Sequence, residues 1–296
     1  SDLITTFEKS FLINRYRMYD GTFPHDLEYN KGLIDEIWAR TDDEAEKIKW
    51  ADEYYGQMEN NSKNVRRGFT SSQNPDLQVV EDPSKINVGI FVSSEDEFEA
   101  INDQWKPKNY KNQNDAIQQL IDYDWQSKVH FYVRVHPNLI NVKNSQTEFL
   151  SNISSPDFTV IPAESELSSY RLMRECDILI VFGSSIGIEA CHNKKTVVML
   201  GRALYEDLPG LIKPDTHAEL CEFIKNYDKS DLSFGEAARD SAVKYAWFCK
   251  ESGTKFNHFY QIDRRTIIPK ESTLLWGGMD KLSQQMIYKF AKGTRA

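Results

Sequence analysis

The chain has 296 residues, 40% hydrophobic and 27% charged, with a formal net charge of -9 and a pI near 5.3. That length and apolar content can build a sizeable core, in one large domain or two smaller ones. An acidic balance speaks against nucleic-acid binding, which needs a cationic face to displace counterions; a small anion site built from backbone amides stays open.

The opening "SDLITTFEKS" has no signal-peptide pattern and no initiator Met. The longest apolar runs, such as Val197 to Leu200, fall far short of the ~20 residues that span a bilayer, so no transmembrane segment is expected. Residues 1–85 read as a mostly helical N-terminal region and linker. Within it "NKGLIDEIWARTDDEAEKIKWADEYYGQM" spaces Ile34, Ile37 and Trp38, and then Ile48 and Tyr55, as helices do. No strand series able to form a second sheet is visible. The polar, turn-rich "ENNSKNVRRGFTSSQNPD", 59–76, is the linker candidate.

Residues 86–230 have a different texture. "INVGIFV" (86–92), "KVHFYVRV" (128–135), "FTVIP" (158–162), "DILIVF" (177–182) and "TVVML" (196–200) read as strands. Helices are expected around 113–122, 144–151, 165–175, 184–192 and 216–226. Short apolar strands alternating with helices imply an α/β fold, with a Rossmann-like parallel sheet covered on both faces. Residues 231–296 read as C-terminal helices, one over "EAARDSAVKYAWFCKES" and another at 280–291, with "RRTIIPKES" between them. Cys176, Cys191, Cys221 and Cys249 lack close paired spacing and read as buried thiols of a cytoplasmic protein.

Ligands of such sheets bind beyond the carboxyl ends of the strands, where the strand order switches. Three stretches fall there. Gly183, Ser184 and Ser185 stand where a strand gives way to a helix, offering hydroxyls and first-turn amides to an oxyanion; helix capping by Ser explains them equally well. Gly187 leaves room for a ligand or a neighbouring strand, and Glu189 lies one turn beyond Ser185 on the same face, placed to accept from ribose hydroxyls or to be a surface glutamate. In "YVRVHPN", 132–138, Arg134 shares a face with Tyr132, and His136 emerges where Pro137 ends the strand, as a phosphate donor, a general acid or base, or a structural histidine. Asn138 could bond the same ligand or cap the turn. Ser93 and Ser94 end the first strand, and Glu95, Asp96 and Glu97 after them contain either a catalytic carboxylate or the acidic first turn of a helix. There is no metal-ligand cluster, Walker motif or GxGxxG fingerprint.

"SSEDEF", Trp105, Gln113, "RVHPN" and "DILIVFGSSIGIEA" together resemble bacterial capsule and lipopolysaccharide biosynthesis glycosyltransferases of the GT-B fold, over about residues 86 to 227. The resemblance implies a nucleotide-sugar donor domain, with a CMP-, UDP- or GDP-linked sugar as substrate and no permanently bound cofactor. His136, Ser184 and Ser185 would then hold the donor phosphate, where negative charge develops on the leaving nucleotide, and Glu189 the ribose. It further implies a glycan or lipid-linked acceptor, and a cytoplasmic protein at the inner face of the bacterial membrane. A GT-B enzyme normally has a complete first α/β domain for the acceptor, so an upstream domain outside this chain is expected. A polyol-phosphotransferase or sugar-nucleotide epimerase on the same architecture, or a non-catalytic interaction module, are the alternatives. The first reading requires Ser93, His136, Ser184 and Ser185 to converge on one crevice.

Overall fold

The computed structural model describes residues 5–12, 15–60, 73–255, 259–261 and 267–269. The helix expected at 280–291, and residues 61–72 of the linker candidate, lie outside the described residues.

Six strands form one parallel sheet: β3 (Ile86–Phe91), β4 (Val129–Arg134), β5 (Phe158–Ile161), β6 (Ile178–Val181), β7 (Thr196–Met199) and β8 (Leu211–Ile212), in the order β5-β4-β3-β6-β7-β8. The expected parallel sheet is thus present; the two-residue β8 was too short to announce itself. Side chains alternate between two cores, as the period of two requires. Val88 and Ile90 of β3, Phe131 and Val133 of β4, and Ile178 and Ile180 of β6 face one core. That core is completed by α4 (Gln113–Asp122), α5 (Ser145–Ser151) and α8 (His217–Lys225). Phe91, Tyr132, Leu179 and Val181 face the other, against α6 (Ser169–Glu175), α7 (Ile186–His192) and α9 (Ser233–Glu251). Covered on both faces, the strands are predominantly apolar, which is why they were legible.

The N-terminal region shares this second core. Helices α1 (Leu27–Trp38) and α2 (Glu44–Glu59) lie against α9, bringing Ile34, Ile37, Tyr54 and Tyr55 into contact with the sheet's apolar face. The Tyr55 hydroxyl donates to the Ala242 carbonyl at 2.9 Å, and the Trp50 indole to Ala246 at 3.1 Å. Ile48, which recurs at helix spacing with Tyr55, lies on the helix's outer side and is 45% exposed.

A second departure concerns strands. Residues 1–85 contain a hairpin, β1 (Thr5–Lys9) and β2 (Arg15–Asp20), and β9 (Thr254–Lys255) pairs antiparallel with β2 to make a three-stranded sheet. In β2 the buried positions are Arg17 and Tyr19. A charged residue in the inward register breaks the apolar alternation, so the hairpin was not seen. The third strand comes from the far end of the chain, which no local pattern could supply. Beyond it, β10 (Phe259–Gln261) pairs antiparallel with β11 (Ile267–Pro269), in the stretch between the two expected C-terminal helices. All four cysteines are free and buried, and burial pushes the Cys191 thiol up to about 12 and Cys221 to about 11.

The carboxyl ends of β6 and β7 touch through backbone: a Cβ on Gly201 would lie 2.5 Å from the Phe182 carbonyl oxygen. Backbone cannot yield as a side-chain tip can. Gly201→Ala is therefore expected to cost about 1–3 kcal/mol, the range for overpacking, read as a lowered urea midpoint. An unchanged midpoint would show that the two strand ends are not in contact.

Candidate functional site

The strand order reverses at β3. The chain steps outward through β4 and β5, then returns past β3 to β6 and steps outward the other way through β7 and β8. Loops leaving β3 and β6 therefore diverge, and a crevice opens between them. A cavity of about 810 Å³ lies there, inside the ~300–1,000 Å³ range of small-molecule sites.

Ser93, Ser94, Glu97, Arg134, His136, Asn138, Gly183, Ser184, Ser185 and Glu189 all line this cavity. Its remaining wall comes from elements that sequence reasoning did not connect to it: the hairpin residues Glu8 to Leu12 with Arg17, then His25, Trp105, Tyr170, Tyr205 and Tyr245. The hairpin thus gives the cavity a second side within this chain.

Gly183 turns the chain out of β6 with φ at 109°, a conformation that glycine adopts without a Cβ penalty. Ser184 and Ser185 follow it into α7. The Tyr205 hydroxyl donates to the Ser184 carbonyl at 2.5 Å and so fixes the turn. Ser185 is the residue preceding α7, yet its side chain makes no capping bond; it bonds the Glu189 carboxyl instead. Capping therefore does not account for this serine. Gly187 is not part of the cavity wall. A Cβ there would sit 2.6 Å from the Tyr205 hydroxyl and 2.9 Å from Val181, so this glycine admits the tyrosine that holds the turn and is no candidate ligand contact.

His136 follows β4 and is half-buried, and its Nδ1 accepts from the Asn138 backbone N–H at 3.0 Å. The proton of the neutral ring consequently sits on Nε2. Burial lowers the His136 pKa, with Glu97 acting in the opposite direction and Arg134 adding to the depression. The Asn138 side chain donates to Glu97 at 3.1 Å, so Glu97, Asn138 and His136 form one group at the rim.

Arg134 lines the cavity, and each of its three side-chain nitrogens is held by the protein. It is 2% exposed and donates to the Pro162 carbonyl at 2.6 Å, to Ser165 at 3.2 Å and to the Ser169 hydroxyl at 3.3 Å. Burial lowers its pKa to about 10. Its role is to tie the loop after β5 to β4.

The acidic run divides. Asp96 is exposed and outside the cavity, and the Glu95 carboxylate accepts from the Gln113 backbone N–H at 2.6 Å, capping α4. Of the three candidate catalytic carboxylates, Glu97 alone lines the cavity. All three begin the short helix α3 (Glu95–Glu99), the first-turn preference that the sequence offered as their other explanation.

Glu189 is 4% exposed, with Tyr170 donating to it, so it is not a surface glutamate. Burial raises its pKa to about 7, against the hydrogen bonds from Tyr170 and Ser185 that lower it. Tyr170 comes from α6, and nothing in its sequence surroundings marks it. Among the described residues no cluster of His, Cys, Asp or Glu is placed to hold a metal ion, and no helix is long and apolar enough to cross a membrane.

The Glu189 shift has a consequence for stability. A folded-state pKa raised from 4.5 to about 7 means that the folded chain holds this proton more tightly than the unfolded one. The associated destabilisation is absent below about pH 4.5, grows as pH rises, and is complete above about pH 7, on the order of 3 kcal/mol. Glu189→Gln should therefore gain stability relative to the parent between pH 5 and pH 8 in urea unfolding. A difference independent of pH would show that the carboxyl titrates normally.

Residues 109–248, just under half of the chain, match the family model described as capsule polysaccharide biosynthesis protein. No curated protein sequence matches the chain. Among solved structures, it is similar to the Thermosulfurimonas dismutans KpsC beta Kdo 2,4 transferase, with 14% identity and a TM-score of 0.48, covering 79% of this chain and 71% of that one. The wall teichoic acid polymerase TagF is 16% identical with a TM-score of 0.35, and this chain spans 45% of its length while 75% of this chain is covered. The glycosyltransferase SnogD from Streptomyces nogalater is 10% identical with a TM-score of 0.34, over 60% of this chain and 41% of that chain. From just before α4 to near the end of α9, the chain is thus similar in sequence to the family of capsule polysaccharide biosynthesis proteins.

Proposed function

We propose that the protein transfers a sugar from a nucleotide-sugar to a growing surface polysaccharide, in the manner of a GT-B donor domain. The observation that carries this reading is the meeting of Ser93, His136, Ser184, Ser185 and Glu189 in one cavity at the strand-order reversal. Their chemistries suit the parts of a nucleotide diphosphate. The His136 Nε2–H and the Ser93 and Ser184 hydroxyls are neutral donors for phosphate oxygens, and they stabilise the charge that develops as the nucleotide leaves. Glu189, held by Tyr170 and Ser185, accepts from ribose hydroxyls. The family match over residues 109–248 supports the same class of reaction.

Glycosyl transfer also needs an acceptor hydroxyl held in line with the departing phosphate, an alignment worth as much as ~7–11 kcal/mol. The hairpin residues Glu8 to Leu12 and Arg17 are the candidates in this chain for that side of the cavity. An acceptor domain outside this sequence, as the family resemblance implies, would act there too.

Calorimetric titration with CMP, CDP, UDP and GDP tests the donor site. At least one should bind, and Ser185→Ala should weaken it. Glu189→Gln should raise the nucleotide dissociation constant about tenfold, the loss of one hydrogen bond to a charged group, while leaving inorganic phosphate binding unchanged. Equal loss for nucleotide and phosphate would remove Glu189 from the ribose. A turnover assay with nucleotide-sugars and a glycan acceptor then separates sugar transfer from binding alone; a CDP-polyol used in preference to every nucleotide-sugar would replace this reading with polyol-phosphate transfer.

A further inference from the structure

We infer that Gln113 and Gln146 are positioning residues, which lock the backbone leaving β3 so that the Ser93 hydroxyl stands ready for a phosphate oxygen of the ligand. This inference rests on the donor-site reading above.

The parallel ladder ends just past β3, where the Val92 N–H reaches the Arg134 carbonyl at 3.3 Å. The next residue, Ser93, leaves the sheet with an N–H and a carbonyl that must find other partners once buried. Gln113 supplies both. Its Oε1 accepts from the Ser93 N–H at 2.9 Å and its Nε2 donates to the Ser93 carbonyl at 3.0 Å. Gln146 donates a second bond to the same carbonyl at 2.7 Å, and its Oε1 accepts from the Glu95 N–H at 3.3 Å. The Glu95 carboxylate returns to the Gln113 backbone at 2.6 Å. The four residues thus close a hydrogen-bonded ring around the Ser93–Glu95 backbone.

Both glutamines are buried, at 4% and 1% exposure. A buried amide is costly unless paired, and here the paired groups go to a three-residue stretch at the cavity wall. One polar atom in that stretch is left over. The Ser93 hydroxyl is buried and has no hydrogen-bond partner among the described residues, although Ser93 lines the cavity. A buried orphan hydroxyl is destabilising, and the cavity is where its partner can enter. With the Ser93 backbone held by the glutamines, the hydroxyl needs less ordering when a ligand arrives, which is the benefit of preorganisation.

The inference is tested by a double-mutant cycle on the affinity for whichever of CMP, CDP, UDP and GDP binds tightest. Ser93→Ala should raise the dissociation constant about tenfold, one hydrogen bond to a charged partner. Gln146→Met should do the same in the parent chain and add little in the Ser93→Ala background, because it acts through that hydroxyl. Losses that multiply, or a constant that Gln146→Met leaves unchanged in a folded variant, would overturn the positioning role. A second measurement needs no substitution: amide hydrogen exchange at Ser93 and Glu95 should be slow before nucleotide is added. Fast exchange in the free chain, slowed only by ligand, would show that the ring does not preorganise the site. If the unaltered chain binds none of the four nucleotides, the donor-site reading fails and this inference with it; the cycle and the exchange measurement overturn the inference alone.

Discussion

The reversal of strand order at β3 is the constraint on which the site depends. Because β4 and β6 flank β3 on opposite sides, the three loops at their carboxyl ends must separate, and chemistry-bearing residues on those loops are forced toward a common gap. Ser93 follows β3, His136 follows β4 and Gly183 to Ser185 follow β6. None of these positions needs a long-range side-chain contact to reach the cavity; the topology delivers them.

What topology delivers, local chemistry then fixes. Each loop is pinned by a different device: buried glutamines behind Ser93, a backbone N–H on His136 Nδ1, and the Tyr205 hydroxyl on the Ser184 carbonyl. The pinning groups are themselves satisfied, whereas the Ser93 hydroxyl and the buried Glu189 carboxyl carry unfavourable terms in the free chain. Groups held in a costly state at a cavity wall are what a binding site looks like before its ligand arrives.

The sheet and its covering helices were legible because doubly covered strands are predominantly apolar, and because each strand ends in a recognisable break. The loop residues of the site were legible for the same reason: a strand end in a parallel sheet has a known functional edge. Arg134, Gly187 and Glu95 were drawn into the site by the same proximity, and contacts that leave no local trace redirect them. Arg134 is spent on the carbonyls after β5, Gly187 makes room for Tyr205, and Glu95 caps α4. Tyr170 and the two glutamines went unseen as site residues, since a polar residue near a helix start reads as solvated until its burial is known. The hairpin was hidden more deeply, with Arg17 in an inward register and a third strand that pairs Arg15 with Lys255, near the far end of the chain.

A crystal structure with a bound nucleoside diphosphate tests most directly the proposal that the gap between the ends of β3, β4 and β6 is a nucleotide phosphate site. The phosphates should lie between Ser93, His136 and Ser184–Ser185, with the ribose toward Glu189. Phosphates bound elsewhere on the chain, with the cavity walls unchanged and no nucleotide between them, would contradict it.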